Sequence, residues 1–343
     1  MNCYFVFGYR NVRTALTSRV FATANTFRRT RTAIGLSVLD TDGEAHSRMR
    51  GALLPAFRPA AVSRHATTLV GPAVRRLLDD ALAQAGPGWL PEFATRLPVS
   101  VAAEIVGLPA GADEYLREAM RPLVVFIDHG PVDYSTVVAR RDELRTYIRT
   151  AMRRSSRTDQ LVHMLGAGGL SEPEIVDNAL LALVAATETT TSAMVNVAAR
   201  VCGQPHLFDL LRRSPHLVGQ AVTETLRHEP PLHVTLRYTT TEVSLGEYRL
   251  PKGAAVQVCL ASANRDPSVY ADPDVWQLQR QGRPSLAFGA GPHHCLGSAL
   301  AREEIEALIR ELTHRFESLR VVSPEVPRPR GRTFRSVPDL VLG

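Results

Sequence analysis

Cys295 lies in a glycine-rich stretch, Phe288 to Gly297, that directly precedes a predicted helix. Glycine adopts backbone conformations closed to other residues and lets the main chain approach a flat ligand closely. At the start of a helix, free N–H groups and the helix dipole favour a thiolate over a thiol. A thiolate can ligate a metal, and N–H groups that donate to the sulfur tune the electron density it gives to that metal. Cys295 is therefore a candidate metal ligand.

Two other interpretations of Cys295 stay open from its local sequence alone. A single cysteine in a glycine-rich turn is most often a buried structural residue. Zinc binding by Cys295 together with His293 and His294 is a second alternative. Three adjacent residues do not easily converge on one tetrahedral ion, and no Cys or His pair at zinc-site spacing accompanies them. The local sequence therefore argues against zinc.

Two polar pairs elsewhere have the spacing of helix neighbours. Glu224 and Arg227 lie three residues apart, and His46 and Arg50 lie four apart, so each pair shares a helix face. Such pairs are most often solvated, and an exposed ion pair contributes less than about 1 kcal/mol. By themselves the two pairs predict no more than charged helix surfaces.

A long helix is predicted from about Ser171 to Cys202. Ser171 and Glu174 have the spacing of a capping box, in which each side chain accepts from an N–H of the first turn. Ala179 to Ala186 is apolar on nearly all sides, so we expect the helix to lie inside the protein. The central run Thr187-Glu188-Thr189-Thr190-Thr191 is poor helix material, because β-branched residues lose rotamers and hydroxyls compete for backbone carbonyls. A buried polar run in a core helix requires an explanation.

The stretch from Phe288 to Arg302 resembles the cysteine-loop signature of the cytochrome P450 family. The signature, Phe-Gly-x-Gly-x-His-x-Cys-x-Gly followed by Leu-Ala-Arg, is matched at every fixed position. It is highly specific, and the resemblance extends over nearly the whole chain, from about Phe5 to Gly343. It implies heme b as the cofactor, with Cys295 as the axial ligand of the iron.

The same resemblance implies roles for residues along the chain. Phe288 would pack beside the sulfur, within the loop formed by Gly289, Gly291 and Gly297. Four residues match positions that bind the heme propionates: His46, Arg50, Arg237 and His293. Two anionic propionates need several cationic donors, and guanidinium pairs well with carboxylate. Glu224, Arg227 and Arg280 would form a buried charged triad, since the family has Glu-x-x-Arg on a buried helix and a further Arg before the cysteine loop.

Ala185-Ala-Thr-Glu188-Thr189 resembles the family motif that crosses the oxygen-binding face of the heme, Ala-Gly-x-(Asp/Glu)-Thr. The resemblance implies O2 as co-substrate, with Thr189 donating and accepting hydrogen bonds at the bound oxygen and Glu188 helping to deliver protons. Ala186 stands where the family often has Gly, so the local helix distortion can differ. The candidate substrate-pocket residues are mostly apolar and small: Leu181, Val184, Ala185, His233 and Val234.

The predicted fold class is mainly α with a small β region, α+β, with the P450 fold and the heme between the long central helix and the cysteine-loop helix. Helix-like spacing covers the first two-thirds, short strands are expected between Val234 and Leu260, and residues 317–343 suggest further short strands. We expect one P450 domain over residues 1–343. Tyr9 to Leu16 resembles the second helix of the family, which implies an N-terminally shortened chain without the usual first helix and first strands.

Composition excludes several classes of protein. The net charge is +6, from 40 Lys and Arg against 34 Asp and Glu, and no dense basic run with interleaved aromatics predicts nucleic-acid binding. The four cysteines are far apart, which argues against a disulfide framework and favours the cytoplasm. No apolar run reaches the roughly 18 residues typical of a membrane span. We therefore expect a soluble protein with no membrane partner.

The expected function is a heme-thiolate monooxygenase that hydroxylates or epoxidises a small, largely apolar organic substrate, such as a secondary-metabolite intermediate. No flavin or nicotinamide domain follows the cysteine loop, so we expect electrons from an external ferredoxin and ferredoxin reductase. The basic excess, including Arg48 near the expected proximal face, suits an acidic ferredoxin. The alternatives are a heme-thiolate isomerase or oxidative coupling enzyme, and a catalytically silent heme-binding or recruitment protein.

Overall fold

The computed structural model describes residues 3–84, 88–322, 329–331, 333–337 and 340–343. Helices dominate these residues, and a four-stranded sheet and a two-stranded hairpin form the smaller part. The predicted fold class, mainly α with a small β region, is confirmed.

The helices have the following bounds in chain order: α1 (Tyr9–Thr17), α2 (Arg29–Ala33), α3 (Gly43–Leu53), α4 (Pro59–His65), α5 (Gly71–Gln84), α6 (Trp89–Val106), α7 (Asp113–Ile127), α8 (Tyr134–Arg154), α9 (Leu161–Ala167), α10 (Glu172–Cys202), α11 (Pro205–Arg213), α12 (Val218–His228), α13 (Leu260–Ala263) and α14 (Ser298–Arg315). A wider π-helical turn at Ala66–Val70 joins α4 to α5. Pro72 has no N–H to donate to the preceding turn, which explains why the α-helical ladder is interrupted there.

The strands are β1 (Cys3–Val6), β2 (Phe21–Ala22), β3 (Val234–Thr239), β4 (Val243–Leu245), β5 (Tyr248–Leu250) and β6 (Ala255–Cys259). The larger sheet has the order β1-β6-β3-β2, with β1 parallel to β6 and the other pairs antiparallel. β4 and β5 pair as a hairpin. It turns at Gly246, whose φ of 63° suits the first central position of a two-residue hairpin turn.

The N-terminal side of α1 contributes a strand to the larger sheet. β1 lies at the sheet edge, where Phe5 is 61% exposed and Phe7 is 56% exposed. Their rings stack with centroids 6.4 Å apart. This short edge strand directly precedes α1 and is consistent with the predicted N-terminally shortened chain.

α10 forms the centre of the main core. It packs against α6, α8, α12 and α14, and the predicted capping box is present, with the N–H of Ser171 donating to Glu174 Oε2 over 2.9 Å. Among the described residues, α10 is the one helix with the length and hydropathy of a membrane span, but 61% of its most apolar window is buried inside the protein. That degree of burial is typical of a core helix.

The C-terminal residues differ from the prediction of short strands. The described part of this region forms only isolated bridges, of Leu232 with Phe334, Val321 with Leu342, and Arg330 with Ser336. The first of these bridges brings the 333–334 segment beside the residues that precede β3.

Candidate functional site

The cysteine loop folds against α1. Gly291 has a φ of 72°, and a side-chain carbon there would lie 2.7 Å from the carbonyl oxygen of Leu16, so a larger residue would displace the loop. The N–H of Cys295 donates to the carbonyl of Phe288 over 3.0 Å. The residue Cys295 is exposed rather than packed in the core, which leaves its thiol accessible to a ligand.

Several groups act on the thiol of Cys295. Burial raises its pKa, while the N–H of Gly297 and the charge of Arg50 lower it, and the net shift is upward. The sequence predicted that the helix dipole and free N–H groups at the helix start favour the thiolate, and the N–H of Gly297 acts in that direction. A metal cation bound to the sulfur would stabilise the thiolate further.

Arg237 on β3 is a buried cation without an anionic partner. It is 4% exposed, its Nη1 donates to the carbonyl of Leu236 over 3.0 Å, and its Nε has no hydrogen-bond partner. Burial and the charge of Arg28 lower its pKa to about 10. Buried charges are normally paired, so this guanidinium indicates a binding site for an anion.

His46 on α3 lies beside the cysteine loop. Its ring centroid is 4.2 Å from that of His293, and its Nε2 is buried without a partner. Burial, His293 and Arg50 lower the pKa of His46 to about 4, so the ring is neutral. Arg50, one turn further along, donates to the carbonyl of His294 over 2.9 Å. The structure thus brings His46, Arg50 and His293 together around the loop.

His293 also contacts a carboxylate that the sequence analysis did not identify. Its Nε2 lies 3.1 Å from Asp42 Oδ1 and 3.2 Å from Thr23 Oγ1. Although burial opposes ionisation, hydrogen bonds from His293 and from the N–H groups of Ala24 and Thr23 lower the pKa of Asp42 to about 2. Asp42 therefore orients the His293 ring, which the resemblance had assigned to a propionate alone.

The charged triad is assembled and buried. Arg227 donates from Nε to Glu224 Oε2 over 2.7 Å and from Nη2 to Oε1 over 2.8 Å, and Arg280 Nε donates to Oε1 over 2.9 Å. Burial opposes ionisation of Glu224, but these bonds and one from the N–H of Gln277 outweigh it and lower the pKa of Glu224. The pair on α12 is thus an internal structural element and not a surface ion pair.

The two guanidiniums of the triad also bind main-chain carbonyls of the segment before the cysteine loop. Arg227 Nη1 donates to Asn264 over 2.8 Å and to Pro273 over 2.9 Å. Arg280 Nη2 donates to Asp272 over 3.1 Å. The triad therefore fixes the path of the chain between α13 and the loop that holds Cys295.

An accessible stripe crosses the otherwise buried middle of α10. Ala185 is exposed and Glu188 and Thr189 are half-buried, whereas Thr187 and Thr190 on the opposite side are buried. The hydroxyl of Thr189 donates to the carbonyl of Ala185 over 2.8 Å. Burial and the charge of Asp128 raise the pKa of Glu188. The threonines fit the helix because their hydroxyls bond to the preceding turn or to a neighbouring helix.

The candidate substrate-pocket residues do not all share this stripe. Leu181 is half-buried on the same side as Ala185, but Val184 is 7% exposed and packs in the main core, because it lies on the flank of the stripe. His233 and Val234 are half-buried at the start of β3. His233 Nε2 lies 3.5 Å from Glu229 Oε1.

Comparisons with known proteins agree with this geometry. The cytochrome P450 family model matches residues 212–334. Cytochrome P450 107B1 of Saccharopolyspora erythraea is 31% identical over 299 residues, which are 84% of this chain and 72% of that protein. Cyclomarin C epoxidase CymV of Salinispora arenicola is 32% identical over 291 residues, 82% of this chain and 70% of the epoxidase.

The chain belongs to the cytochrome P450 family. Its fold matches P450BioI, solved in complex with an acyl carrier protein ligated to hexadec-9Z-enoic acid, with a TM-score of 0.89 and 27% identity over 98% of this chain and 91% of that one. As a P450 it is an oxidoreductase of the monooxygenase class that uses heme with a cysteine thiolate ligand and O2.

The residues of this P450 fit its heme. Arg237 Nε is a buried donor and His46 Nε2 a buried ring nitrogen, both without partners, as expected where the propionates of the cofactor complete their hydrogen bonds. Cys295 is free and accessible. No group of three or more His, Cys, Asp or Glu in the described part of the chain could hold a metal ion, so the zinc alternative has no ligand set.

Sequence reasoning missed Asp42, Asp128 and Glu229. Asp42 could have been noticed as the acidic residue just before the predicted helix of His46. Asp128 and Glu229 act through contacts with residues distant in sequence, which no local pattern reveals.

Proposed function

We propose that this P450 inserts one oxygen atom into a small, largely apolar organic molecule, by hydroxylation or epoxidation, in secondary metabolism. The single observation that supports oxygen activation is the accessible stripe of α10, which presents Glu188 and Thr189 in an otherwise buried helix. A non-catalytic heme protein has no chemical need for an acid and an alcohol at this place. The related protein named as an epoxidase supports the same reaction class.

The residues have distinct tasks in this proposal. Heme, when bound, supplies the iron that binds and activates O2, with Cys295 as its thiolate ligand. Arg237, His46, Arg50 and His293 would hold the propionates. Thr189 keeps its helix bond to Ala185 and accepts a hydrogen bond from a water molecule through its free lone pair.

Glu188 is the proton donor. Because burial and Asp128 raise its pKa, Glu188 retains a proton at higher pH than an ordinary glutamate does. The protonated carboxyl group of Glu188 can therefore donate a proton to the water at Thr189 after each turnover.

The test of the heme-thiolate centre is a carbon monoxide difference spectrum of the purified, reduced protein. The wild type should show the strongly red-shifted Soret band of thiolate-ligated heme, and Cys295→Ala should lose it. Cys3→Ser is the matched control, since Cys3 is also a free and exposed cysteine. A colourless wild type supplied with hemin, or a Cys295→Ala protein that keeps the band, would contradict the assignment.

We further propose a separate ferredoxin and its reductase as the electron source, in the cytoplasm. The net charge of +6 supports attraction of an acidic partner, and all four cysteines are free. Arg48 contributes less than expected, because it forms a salt bridge with Glu174, with Nη1 3.2 Å from Oε2. The rate of reduction by an acidic ferredoxin should fall as salt is raised from about 50 to about 500 mM, and a salt-independent rate would argue against this partner.

A further inference from the structure

The guanidinium of Arg302 lies over the ring of Phe288. Arg302 is on α14, the helix that follows the cysteine loop, and its Cζ is 5.2 Å from the centroid of the Phe288 ring. Phe288 and Cys295 are joined within the loop, because the N–H of Cys295 donates to the carbonyl of Phe288 over 3.0 Å. A cation at this distance is attracted to the negative face of the ring. Arg302 therefore contacts the cysteine loop from the side of α14.

A hydroxyl of α12 fixes the guanidinium of Arg302 from a second direction. Arg302 Nη1 donates to Thr223 Oγ1 over 2.7 Å. The hydroxyl of Thr223 is itself oriented, since it donates to the carbonyl of Gly219 over 2.8 Å and presents a lone pair to Arg302. The ring and the hydroxyl together define the position of the positive charge.

The charge of Arg302 lacks a carboxylate partner. In the part of the chain that the structure describes, Arg302 forms no salt bridge, and Glu306, one turn further along α14, pairs with Arg310 over 2.5 Å. Arg302 is half-buried, and burial lowers its pKa although the charge of Glu306 opposes this shift. Charges removed from water are normally paired. The thiolate of Cys295, once it ligates the iron, is an anion in the loop that Arg302 contacts.

A cation beside a metal–thiolate unit changes how readily the metal accepts an electron. Reduction adds one negative charge to the unit, so a nearby positive charge stabilises the reduced state more than the oxidised state. Groups outside the ligand set tune the reduction potential of heme iron in this way. Loss of such a cation lowers the potential.

We propose that Arg302 is a positioning residue of this P450 whose charge raises the reduction potential of the iron ligated by Cys295. The ring of Phe288 and the hydroxyl of Thr223 hold the guanidinium at the loop, so Arg302 acts through the thiolate and not on the substrate. The inference rests on the assignment of Cys295 as the axial ligand in the function proposed above. It adds a residue that makes the iron easier to reduce by the electron donor.

The test is the midpoint potential of the ferric–ferrous couple, measured by spectroelectrochemistry on purified, heme-loaded protein. Arg302→Met removes the charge and keeps an apolar side chain against Phe288. The ratio of ferric to ferrous protein at a fixed potential should rise about threefold to tenfold, which is a fall in potential of about 28–59 mV for a one-electron couple. Arg302→Lys keeps the charge and should change this ratio less than about twofold.

A vibrational measurement separates the charge of Arg302 from a purely structural role. In the ferrous carbon monoxide complex, loss of the cation lets the thiolate donate more electron density to the iron. The C–O stretching frequency of Arg302→Met should therefore fall in the infrared spectrum, whereas a loss of stability or of heme content alone would not move it. Arg213→Met, which removes an arginine of α11 with a 71% exposed side chain, is the control and should leave the potential and the frequency unchanged.

The inference is overturned if Arg302→Met has the potential of the Arg213→Met control, or if Arg302→Lys and Arg302→Met lose the same amount. If Arg302→Met does not retain heme, Thr223→Val decides. This variant removes only the hydroxyl that orients the guanidinium, at an exposed position, and should raise the ferric-to-ferrous ratio about twofold. In that case a wild-type potential overturns the role of Arg302.

The carbon monoxide spectrum of the wild type keeps the two proposals apart. A red-shifted band together with a potential that does not respond to Arg302→Met retains Cys295 as the ligand and excludes the role of Arg302. A wild type without the band contradicts the ligand assignment itself, and the inference about Arg302 then fails with it.

Discussion

Replacement of Glu224 by alanine tests the charged triad. Glu224 is 3% exposed and accepts four hydrogen bonds, two from Arg227, one from Arg280 and one from the N–H of Gln277. The alanine variant leaves two guanidiniums unpaired, and breaking a buried pair in this way costs about 3–5 kcal/mol. For a chain of this size, roughly 2 °C per kcal/mol gives a drop in Tm of about 6–10 °C.

The segment before the cysteine loop should loosen in this variant, because Arg227 and Arg280 hold its carbonyls. We therefore expect Glu224→Ala to lose most of its heme as well as stability. The assay is thermal unfolding followed by circular dichroism, together with heme content per protein. If the alanine variant does not accumulate, Arg280→Met provides a milder change to the same network.

Glu242→Ala is the matched control. Glu242 pairs with Arg249, and both side chains are more than half exposed. The free energy of unfolding of Glu242→Ala should therefore fall by no more than about 1 kcal/mol. A soluble Glu224→Ala protein with full heme content and the Tm of this control would refute the reasoning.

Three more variants test individual residues. Arg237→Met should raise the Tm of the apoprotein, since it removes an unpaired buried charge, and should weaken heme binding roughly tenfold; a lower apoprotein Tm would contradict this. Thr189→Ala should bind heme and ligand normally but release more hydrogen peroxide per electron consumed, whereas Thr187→Ala, buried on the other side of α10, should stay coupled. Glu304 on α14 is 3% exposed, and burial raises its pKa from 4.5 to about 8. Between these two pKa values the folded protein retains a proton that the unfolded chain has lost. This group should therefore lower the free energy of unfolding of the wild type by about 1.4 kcal/mol for each unit that the pH rises from about 4.5 to about 8. Urea unfolding of Glu304→Gln should lack that part of the slope, and an unchanged slope would count against a protonated Glu304.

The helical part of the fold was predictable because its signals are local. Ser171 and Glu174 mark the start of α10, and the apolar run after them indicates burial. The cysteine loop was equally predictable from the sequence, since three glycines around Cys295 followed by Leu-Ala-Arg form a specific pattern. Both predictions depend only on neighbours in sequence.

The short elements were harder to predict from the sequence. β1 and β2 have four and two residues, too few for a periodic pattern to separate them from loops. The predicted strand from Val243 to Leu250 is a hairpin, because Gly246 can adopt the positive φ of a tight turn. Such strands exist through their pairing with β3, β5 and β6 and have little tendency to form alone.

Some properties of the site residues could likewise be predicted from the sequence, and others depend on tertiary contacts. Glu224, Arg227 and Arg280 could be named because family motifs place them, but their burial and mutual distances could not be derived from spacing. The raised pKa of Cys295 was not predicted, since the helix start predicts the opposite shift and burial of the thiol, which raises the pKa, is a tertiary effect. The interaction of Asp128 with Glu188 joins positions 60 residues apart.

The way in which Arg227 and Arg280 bind the 264–275 segment has a consequence for protein engineering. Their guanidiniums contact carbonyl oxygens of the main chain, and every amino acid supplies that oxygen. Exposed side chains of this segment can therefore be exchanged without removing these bonds, except at Asp272, whose φ of 45° disfavours most other residues. An insertion or deletion of even one residue shifts every following carbonyl out of register with the two arginines, so length is the property that a redesigned or grafted segment must preserve.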